Sequence, residues 1–285
     1  MAFAIAVALN LIFVVAEVIA GLASQSMALL ADAGHNLSDV LSLLLAWGAS
    51  VLAARPPSAR FTYGLKGGSI LAALANAALL WVALGAILLE TLQRLSRPAE
   101  PQGMTMIVVA AMGIAVNGLS AALFARGRKG DLNLRAAFQH LLADAAVSAG
   151  VVVAGVAIQF TGLGWIDPVV SLLITAVVAW GSWDLMKQAL ALALGAVPEG
   201  IDRQAVLDFL SGHPQVSAVH DLHIWAMSTT ETALTAHLVV PGGHPGDHFL
   251  HALAHELQHR FGIGHATVQV ESGAEPCALE PDGVV

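Results

Sequence analysis

Long apolar stretches separated by short polar breaks fill the first 197 residues of the chain. Each stretch is long enough to cross the roughly 30 Å of hydrocarbon in a bilayer, and each break contains proline, glycine or charged residues. The stretches are Ala2–Ala23, Met27–Ala54, Gly68–Leu92, Met104–Ala125, Leu132–Phe160 and Trp165–Leu194. This pattern predicts an all-α transmembrane domain of six helices over residues 1–197.

The pattern changes after residue 197, where charged residues and histidines return and no further stretch of spanning length follows. Shorter periodic segments predict, in order, a helix, two strands, a helix and a strand. Their bounds are Asp202–Ser211, Val216–Trp225, Thr232–Val240, Gly246–Phe261 and Ala266–Glu271. The order αββαβ predicts a small α+β, ferredoxin-like cytoplasmic domain over residues 198–273. Residues 274–285 are expected to form a disordered tail.

The composition agrees with a membrane protein. The chain is 57% hydrophobic and 11% charged, with a mean hydropathy of +0.74, so it has more apolar surface than a soluble domain of its size could bury. We therefore expect the lipid bilayer as a partner. The net charge of -8 is concentrated towards the C-terminal part and gives no indication of a nucleic-acid partner. The single cysteine, Cys277, excludes disulfides and a zinc site built from several cysteines.

The positions of the basic residues predict the orientation in the membrane. Most lysines and arginines follow the second, fourth and sixth stretches, and only Arg94 and Arg97 fall on the other side. By the positive-inside rule, both termini of this multi-pass protein are expected in the cytoplasm, with the spans in the cell (inner) membrane. No lysine or arginine precedes Arg55, so the first stretch lacks the basic region of a signal peptide and is expected to be a retained span.

Two ionisable pairs interrupt the apolar stretches. The second stretch contains His35 and Asp39, and the fifth contains His140 and Asp144, so both have the spacing H-x-x-x-D. On a helix, this spacing places both side chains on one face. If the two helices meet, two imidazoles and two carboxylates converge in a set that suits zinc and neutralises a dication. The plainer interpretation is a hydrogen bond within each helix, but two such costly pairs in apolar surroundings favour a metal site.

The chemistry of such a site predicts how it would transport metal. Imidazole and carboxylate bind a metal ion only when deprotonated, so metal and protons compete for the same groups. We therefore predict a zinc antiporter, not an enzyme, that exchanges the divalent metal ion for protons. Cobalt, cadmium, manganese and iron remain alternative substrates, because ligand type alone does not fix selectivity.

The histidines of the C-terminal segment fall into two groups. His220, His223 and His237 lie on the predicted strands, whereas the other group recurs at helical spacing on the predicted helix. The helical group comprises His248, His251, His255 and His259. Such a stripe is often only solvated, and a cytoplasmic metal-sensing site is the alternative.

One motif in this segment points to an enzyme. His255-Glu256-Leu257-Gln258-His259, followed by Gly262 and His265, matches H-E-x-x-H-x-x-G-x-x-H, the signature of zinc peptidases. However, no methionine follows His265 to form a Met-turn, and the segment is too short for a catalytic domain of that class. A membrane-anchored zinc peptidase is therefore the weaker alternative.

Several segments together resemble the cation diffusion facilitators, close to the branch that exports zinc. They are Leu30-Ala31-Asp32-Ala33-Gly34-His35-Asn36-Leu37-Ser38-Asp39, Arg60-Phe61-Thr62-Tyr63-Gly64, His140-Leu141-Leu142-Ala143-Asp144 and Val219-His220-Asp221-Leu222-His223-Ile224-Trp225, with Asn10, Phe13, Glu17 and Gly21 in the first stretch. The resemblance covers nearly the whole chain. It implies a homodimer with six spans, a ferredoxin-like cytoplasmic domain and zinc-for-proton exchange.

The resemblance also implies two sets of metal ligands. His35, Asp39, His140 and Asp144 fall on the transport-site positions of the family. His220, His237 and Glu271 fall on positions that bind zinc as a structural or regulatory ion in the cytoplasmic domain, and Gln269 stands where some members have histidine.

The chain departs from the family pattern in the loop after the second stretch. Residues 55–67 contain no histidine, cysteine, aspartate or glutamate, so the metal site that some members have there is expected to be missing. A basic-x-Glu pair that is common after Tyr-Gly is also absent, because Gly67-Gly68-Ser69 occupies its place and Lys66 is displaced by one. We therefore do not assume the charge pair between subunits that relatives build with this basic-x-Glu pair.

Overall fold

The computed structural model describes residues 2–53, 55–96, 101–124 and 132–280. Some side chains within the helices lie outside this description, including all those of residues 132–140. The first part of the chain is helical, and its elements are α1 (Ala2–Ala23), α2 (Met27–Ala53), α3 (Gly68–Ser96), α4 (Gly103–Phe124), α5 (Leu132–Thr161) and α6 (Ile166–Ala193). Within the described residues, a helix therefore covers most of each apolar stretch.

Four of these helices, α3 to α6, contain an apolar segment long enough to cross a membrane. In α1, the apolar segment among the described side chains is shorter, Asn10–Ala23. Large apolar side chains such as Phe160, Val153 and Trp180 are exposed on these helices. An apolar exterior of this kind is suited to contact with lipid tails.

Contacts divide the chain into two compact units. The first comprises Met1–Leu45 and Ala75–Leu185, and the second comprises Ala46–Leu74 and Met186–Val285. In the first unit, α4 and α5 pack closely because both have glycine at the crossing. A Cβ atom on Gly103 would lie 2.7 Å from the carbonyl oxygen of Gly155. Small residues at helix crossings allow this approach in membrane proteins, where packing replaces the hydrophobic effect as the driving force.

The start of α2 is fixed by an acid from another helix. Asp167, in the first turn of α6, accepts hydrogen bonds from Ser26 Oγ (2.6 Å) and from the backbone N–H groups of Met27 (2.7 Å) and Ala28 (3.2 Å). The first N–H groups of a helix have no partner within the helix, and a negative charge there is favourable. Asp167 therefore connects the beginnings of α2 and α6 and fixes the position of α2.

The second unit contains a small α+β domain. Its elements are α7 (Arg203–Ser211), β1 (Ala218–Ala226), β2 (Thr232–Val239), α8 (Asp247–Phe261) and β3 (Ile263–Glu271). The sheet has the order β1-β2-β3, with β1 antiparallel and β3 parallel to β2. Buried leucines from both helices and the sheet, including Leu210, Leu234, Leu238, Leu253 and Leu257, form its core.

The order of elements αββαβ agrees with the prediction, but β3 begins at Ile263, three residues before the predicted Ala266. Gly262 ends α8 in the left-handed conformation (φ 70°), with its N–H bonded to the carbonyls of Leu257 and Gln258. The chain therefore leaves the helix directly into the strand. The periodicity of the sequence did not contain this information because Gly264 and His265 do not continue the apolar alternation.

The loop before α3 belongs to the same unit as the α+β domain and contacts its β1–β2 turn. Lys66 forms an ion pair with Glu231, and the N–H of Thr229 donates to Ser69 Oγ (3.0 Å). Lys66 has no acidic residue close to it in the sequence, but its acidic partner in the structure belongs to the same chain.

Residues 272–280 continue after β3 and remain beside the sheet. Gly273 has φ +74°, and a Cβ there would lie 3.0 Å from Val239 on β2. Cys277 Sγ lies 3.6 Å from His237 Nδ1. Residues 281–285 lie outside the described part of the chain, and the disordered tail stays a prediction.

Candidate metal sites

The polar residues of α2 lie on one side of the helix. Asp32, His35, Asn36 and Asp39 are spaced by three or four residues, which places them on one face. Asp32 and Asn36 are buried, and His35 and Asp39 are partly exposed. This face meets two other helices, α1 and α5, through polar contacts.

His35 contacts a carboxylate of another helix. Its Nε2 lies 3.1 Å from Asp144 Oδ1 on α5 and 3.9 Å from Asp39 Oδ2 one turn along α2. The side chain of Asp144 is 5% exposed, compared with 19% for His35 and 30% for Asp39. Each of the three offers one ligand atom, and these atoms lie within 4.8 Å of one another.

His140, the fourth predicted residue, lies on α5 one turn before Asp144, but its side chain lies outside the described part of the structure. The structure therefore brings together three of the four predicted side chains. The contact between His35 and Asp144 joins two helices, so the interpretation that each pair bonds only within its own helix does not account for it.

A second cross-helix contact lies one turn away. Ser148 Oγ on α5 donates to Asp32 Oδ2 on α2 at 2.9 Å, and both side chains are fully buried. Asp32 precedes His35, whereas Ser148 follows Asp144, so the two helices run antiparallel along this seam.

A third contact adds α1. Asn36 Nδ2 donates to Glu17 Oε2 at 3.1 Å, and the carboxyl groups of Glu17 and Asp32 lie close enough to interact. Glu17 Oε1 and Asp32 Oδ1 form no hydrogen bond of good geometry with a described residue. Four acidic residues, Glu17, Asp32, Asp39 and Asp144, therefore lie with His35 along the contacts between α1, α2 and α5.

This arrangement has the chemistry of a cation site. Ligand atoms around a tetrahedral zinc ion are about 3.3 to 3.6 Å apart, because zinc bonds to nitrogen and oxygen are about 2.0 to 2.2 Å long. The distances from His35 to Asp144 and Asp39 bracket that range. Carboxylates and imidazole bind first-row divalent metals, and the negative charge offsets the cost of bringing a dication into an apolar interior.

The α+β domain has a separate cluster. His220 on β1 and His237 on β2 are paired across the strands, with ring centroids 5.1 Å apart. Glu271, at the end of β3, lies between them: Oε2 is 3.3 Å from His220 Nε2, and Oε1 is 3.0 Å from His237 Nδ1. The structure thus brings together the three residues predicted for this domain.

Cys277 is a fourth member of this cluster that the sequence analysis missed. One atom each from Cys277, His220, His237 and Glu271 lies within 4.8 Å of the others. The only signal in the sequence was a lone cysteine shortly after β3, which does not reveal where the chain after the strand goes.

Asp221 supports the cluster from the other side. It sits at an irregularity in the β1–β2 pairing with φ +50°, a conformation that aspartate tolerates better than most residues. Its carboxylate contacts His237 Nε2 through Oδ2 (3.4 Å) and His223 Nε2 through Oδ1 (2.8 Å). His237 therefore has one ring nitrogen facing the cluster and the other held by a carboxylate, whereas His223 points to Asp221 and not into the cluster.

The neighbours of Glu271 keep it ionised. Burial acts to raise the pKa of its carboxyl group, but hydrogen bonds from Gln269 and Cys277, together with the nearby rings of His220 and His237, outweigh burial. The pKa of Glu271 is therefore lowered from its ordinary value. A deprotonated carboxylate is the form that binds metal.

The residues of the peptidase motif do not assemble into a site. The rings of His255 and His259 are neighbours on α8, with centroids 4.3 Å apart, but His265 packs edge-on against Tyr63 at 5.4 Å. Glu256 lies 4.0 Å from Arg260 on its own helix. Among the described residues, the histidines of this motif do not form a metal-binding group.

Two family models match the chain. The family model described as "Cation efflux transmembrane domain" matches residues 3–192, and the one described as "Cation efflux protein, cytoplasmic domain" matches residues 198–273. The chain therefore belongs to the cation efflux family, the cation diffusion facilitators, as its sequence motifs predicted. This family consists of transporters, which confirms the prediction that the protein is not an enzyme.

Three relatives illustrate the range of the family. The chain is 35% identical to the metal cation efflux system protein CzcD of Cupriavidus metallidurans, over 96% of this chain and 86% of the relative. It is 34% identical to the cadmium, cobalt and zinc/H(+)-K(+) antiporter of Bacillus subtilis, over 92% of this chain and 86% of the relative. It is 35% identical to the zinc transporter ZitB of Escherichia coli, over 93% of this chain and 84% of the relative. The protein is thus a multi-pass membrane transporter of divalent metal cations.

Proposed function

We propose that this protein is a proton-coupled antiporter that exports zinc from the cytoplasm. The observation that carries the proposal is the contact of His35 with Asp144 across α2 and α5, with Asp39 beside it. These side chains combine imidazole and carboxylate ligands at distances suited to a divalent ion, inside a helical region with an apolar exterior.

His140 completes the transport site in this proposal. Along the antiparallel seam, Asp32 pairs with Ser148 and His35 with Asp144, so the next turn of each helix carries Asp39 on α2 and His140 on α5. This register supports a four-ligand set of His35, Asp39, His140 and Asp144.

Proton exchange follows from the ligands themselves. Metal binds to the deprotonated forms of histidine and aspartate, so protons that reach these groups displace the metal. In a site that opens alternately to the two sides of the membrane, a proton gradient then drives metal out of the cytoplasm. The name of the Bacillus subtilis relative, an antiporter with H(+) and K(+), supports protons as counter-ions.

Zinc is the proposed principal substrate. Two histidines and two aspartates form a borderline-hard set that suits zinc, and the E. coli relative is named as a zinc transporter. Cadmium and cobalt, which are named with zinc for the Bacillus subtilis relative, are the closest alternatives. Manganese and iron, which bind such sites more weakly, rank below them.

The proposed membrane arrangement has six spans, α1 to α6, in the inner membrane, with both termini and the α+β domain in the cytoplasm. The distribution of basic residues supports this orientation. The proposed domain boundaries are residues 1–197 for transport and 198–273 for the cytoplasmic domain. We expect a homodimer, because the family model that matches residues 198–273 carries the short name ZT_dimer.

Reconstituted protein tests the proposal. In proteoliposomes with an imposed pH gradient, the wild type should move zinc, and Asp39→Ala and Asp144→Ala should each reduce that movement to the rate of empty liposomes. Glu256→Ala, on the exposed face of α8, is the matched acidic control and should transport like the wild type. Unchanged zinc movement in both aspartate variants would refute the site, and loss of transport in Glu256→Ala would refute the assignment of the peptidase motif as inactive. Adding competing cadmium, cobalt or manganese to the same assay ranks the substrates.

A further inference from the structure

Glu17 on α1 and Asp32 on α2 form a pair of buried acids. Both side chains are fully buried, and their carboxyl groups lie close enough to hydrogen-bond to each other. Glu17 Oε2 accepts a hydrogen bond from Asn36 Nδ2 at 3.1 Å, and Asp32 Oδ2 accepts one from Ser148 Oγ at 2.9 Å. The other two oxygens, Glu17 Oε1 and Asp32 Oδ1, have no donor among the described residues. Each acid of the pair therefore has one oxygen that still needs a donor.

A single proton would satisfy both of these oxygens. An ionised carboxylate only accepts hydrogen bonds, so two ionised groups would repel each other and leave two buried oxygens unpaired. If one group is protonated, its O–H donates to the other group. Two acids that are close together in this way commonly share one proton, because both cannot be ionised at once.

The surrounding helices do not supply a positive charge that would replace this proton. Glu17 is the one ionisable residue of α1, and α4, which packs against α1, has none. The other ionisable residues of the membrane helices are His35 and Asp39 (α2), Glu90 and Arg94 (α3), Arg135, His140 and Asp144 (α5), and Asp167, Asp184 and Lys187 (α6). Of these, His35 and Asp144 act on Asp32 electrostatically, whereas Arg94 is paired with Glu90. Among the described residues, no lysine or arginine therefore forms an ion pair with either acid.

The acid pair lies close to the proposed transport ligands. His35 follows Asp32 by one turn of α2, a spacing at which Cβ atoms are about 5 to 6 Å apart. A dication bound to His35 at that distance favours the ionised form of a neighbouring acid. Zinc binding would then change the charge of the pair from minus one to minus two, and the released proton would pass to water.

We propose that Glu17 and Asp32 share one proton, which leaves when zinc binds to His35 and Asp144 and returns when zinc leaves. Neither acid is among the four proposed zinc ligands, so this proton is additional to those that the ligands themselves lose. The inference rests on the proposed proton-coupled transport and assigns part of its proton exchange to a separate pair of residues.

The number of protons released upon zinc binding tests the proposal. Isothermal titration calorimetry of the full-length protein in detergent, repeated in buffers with different ionisation enthalpies, gives this number. Asp144→Ala measures zinc binding outside the transport site, and its contribution is subtracted. Glu17→Gln should still bind zinc but should release about one proton fewer than the wild type.

The variants are chosen to imitate the protonated pair. The amide introduced by Glu17→Gln can donate to Asp32 Oδ1 and accept from Asn36, so the hydrogen bonds of the pair are retained. Asp32→Asn should remove the same proton. The double variant should release as many protons as either single variant, because the pair holds only one. Glu90→Gln is the matched control, since Glu90 is an exposed glutamate of α3, and it should release the wild-type number.

The possible results lead to different conclusions. Wild-type proton release in Glu17→Gln with zinc binding retained would overturn the proposal. A double variant that loses twice as many protons as each single variant would also overturn it, because each acid would then carry its own proton. Zinc binding and proton release that are unchanged in Asp144→Ala would refute the proposed transport site, and with it the coupling to the acid pair.

Infrared difference spectroscopy of the wild type provides a second measurement that does not require the variants to fold. Zinc binding should remove an absorption band of a protonated carboxyl group, and this band should shift in D2O. A spectrum in which zinc removes no such band would overturn the proposal. Where Glu17→Gln is folded, the band should be missing before zinc is added.

Discussion

Ser148 donates a hydrogen bond of 2.9 Å to Asp32 across α5 and α2, one turn from the contact between Asp144 and His35. Both side chains are fully buried, so this bond holds the two helices at the spacing that brings the proposed transport ligands together. It also gives Asp32 Oδ2 a hydrogen-bond donor at a buried position that bulk water does not reach.

Ser148→Ala should therefore weaken zinc binding without removing a ligand. We expect the apparent affinity in the liposome assay to fall about tenfold, as for other residues that support metal ligands indirectly, while the maximal rate changes less. Ser148→Thr retains the hydroxyl group and should restore affinity. Ser182→Ala, on α6, is the control because the Ser182 hydroxyl donates to the carbonyl of Ala179 on its own helix. Wild-type affinity in Ser148→Ala would show that the α2–α5 spacing does not depend on this bond.

Asp167 should be among the residues on which the stability of the membrane region depends most. Asp167→Ala removes the acceptor of three hydrogen bonds at the start of α2. Two backbone N–H groups, those of Met27 and Ala28, then lose the side chain to which they donate. The expected loss is about 2 kcal/mol or more in the free energy of unfolding, seen as a lower midpoint of thermal unfolding in detergent. The control is Asp247→Ala, an exposed acid in the first turn of α8, which should change stability by less than about 1 kcal/mol. Equal effects of the two variants would contradict the capping role of Asp167.

The ion pair of Lys66 and Glu231 should contribute little energy on its own. Both side chains are partly exposed, and such pairs are typically worth about 0.2 to 1 kcal/mol. A double-mutant cycle with Lys66→Ala and Glu231→Ala, followed by thermal unfolding in detergent, should give a coupling within that range that shrinks at high salt. The exposed pair of Arg260 and Glu256, 4.0 Å apart on α8, provides the reference cycle. A coupling of several kcal/mol would mean that the loop before α3 depends on Lys66 far more than its exposure indicates.

The sequence was most informative where a residue type is energetically unfavourable in its surroundings. Ionisable residues in apolar helices need a reason, and the matching spacing of His35 with Asp39 and of His140 with Asp144 is enough to indicate metal binding. The order of elements in the α+β domain also followed from local periodicity, because helices and strands differ in their repeat. The place of the His140 side chain in the site stays a prediction.

Contacts that depend on the path of the chain could not be predicted from the sequence. The sequence analysis did not single out Asp167, because its partners lie about 140 positions earlier in the chain. Cys277 is separated from His237 by 40 positions, and its place beside the cluster depends on how the segment after β3 turns back. Asp221 contacts His237 because a local irregularity in β1 gives it a positive φ, which no residue pattern indicated.

Coupling between zinc and proton movement tests the central claim most directly. Proteoliposomes that enclose a pH-sensitive dye and a zinc-sensitive dye are given zinc on the outside, with the membrane potential clamped. The account predicts that zinc entry into wild-type liposomes raises the internal pH, because protons leave in exchange, and that Asp144→Ala shows neither change. Zinc entry through the wild-type protein with no change in internal pH would contradict the account.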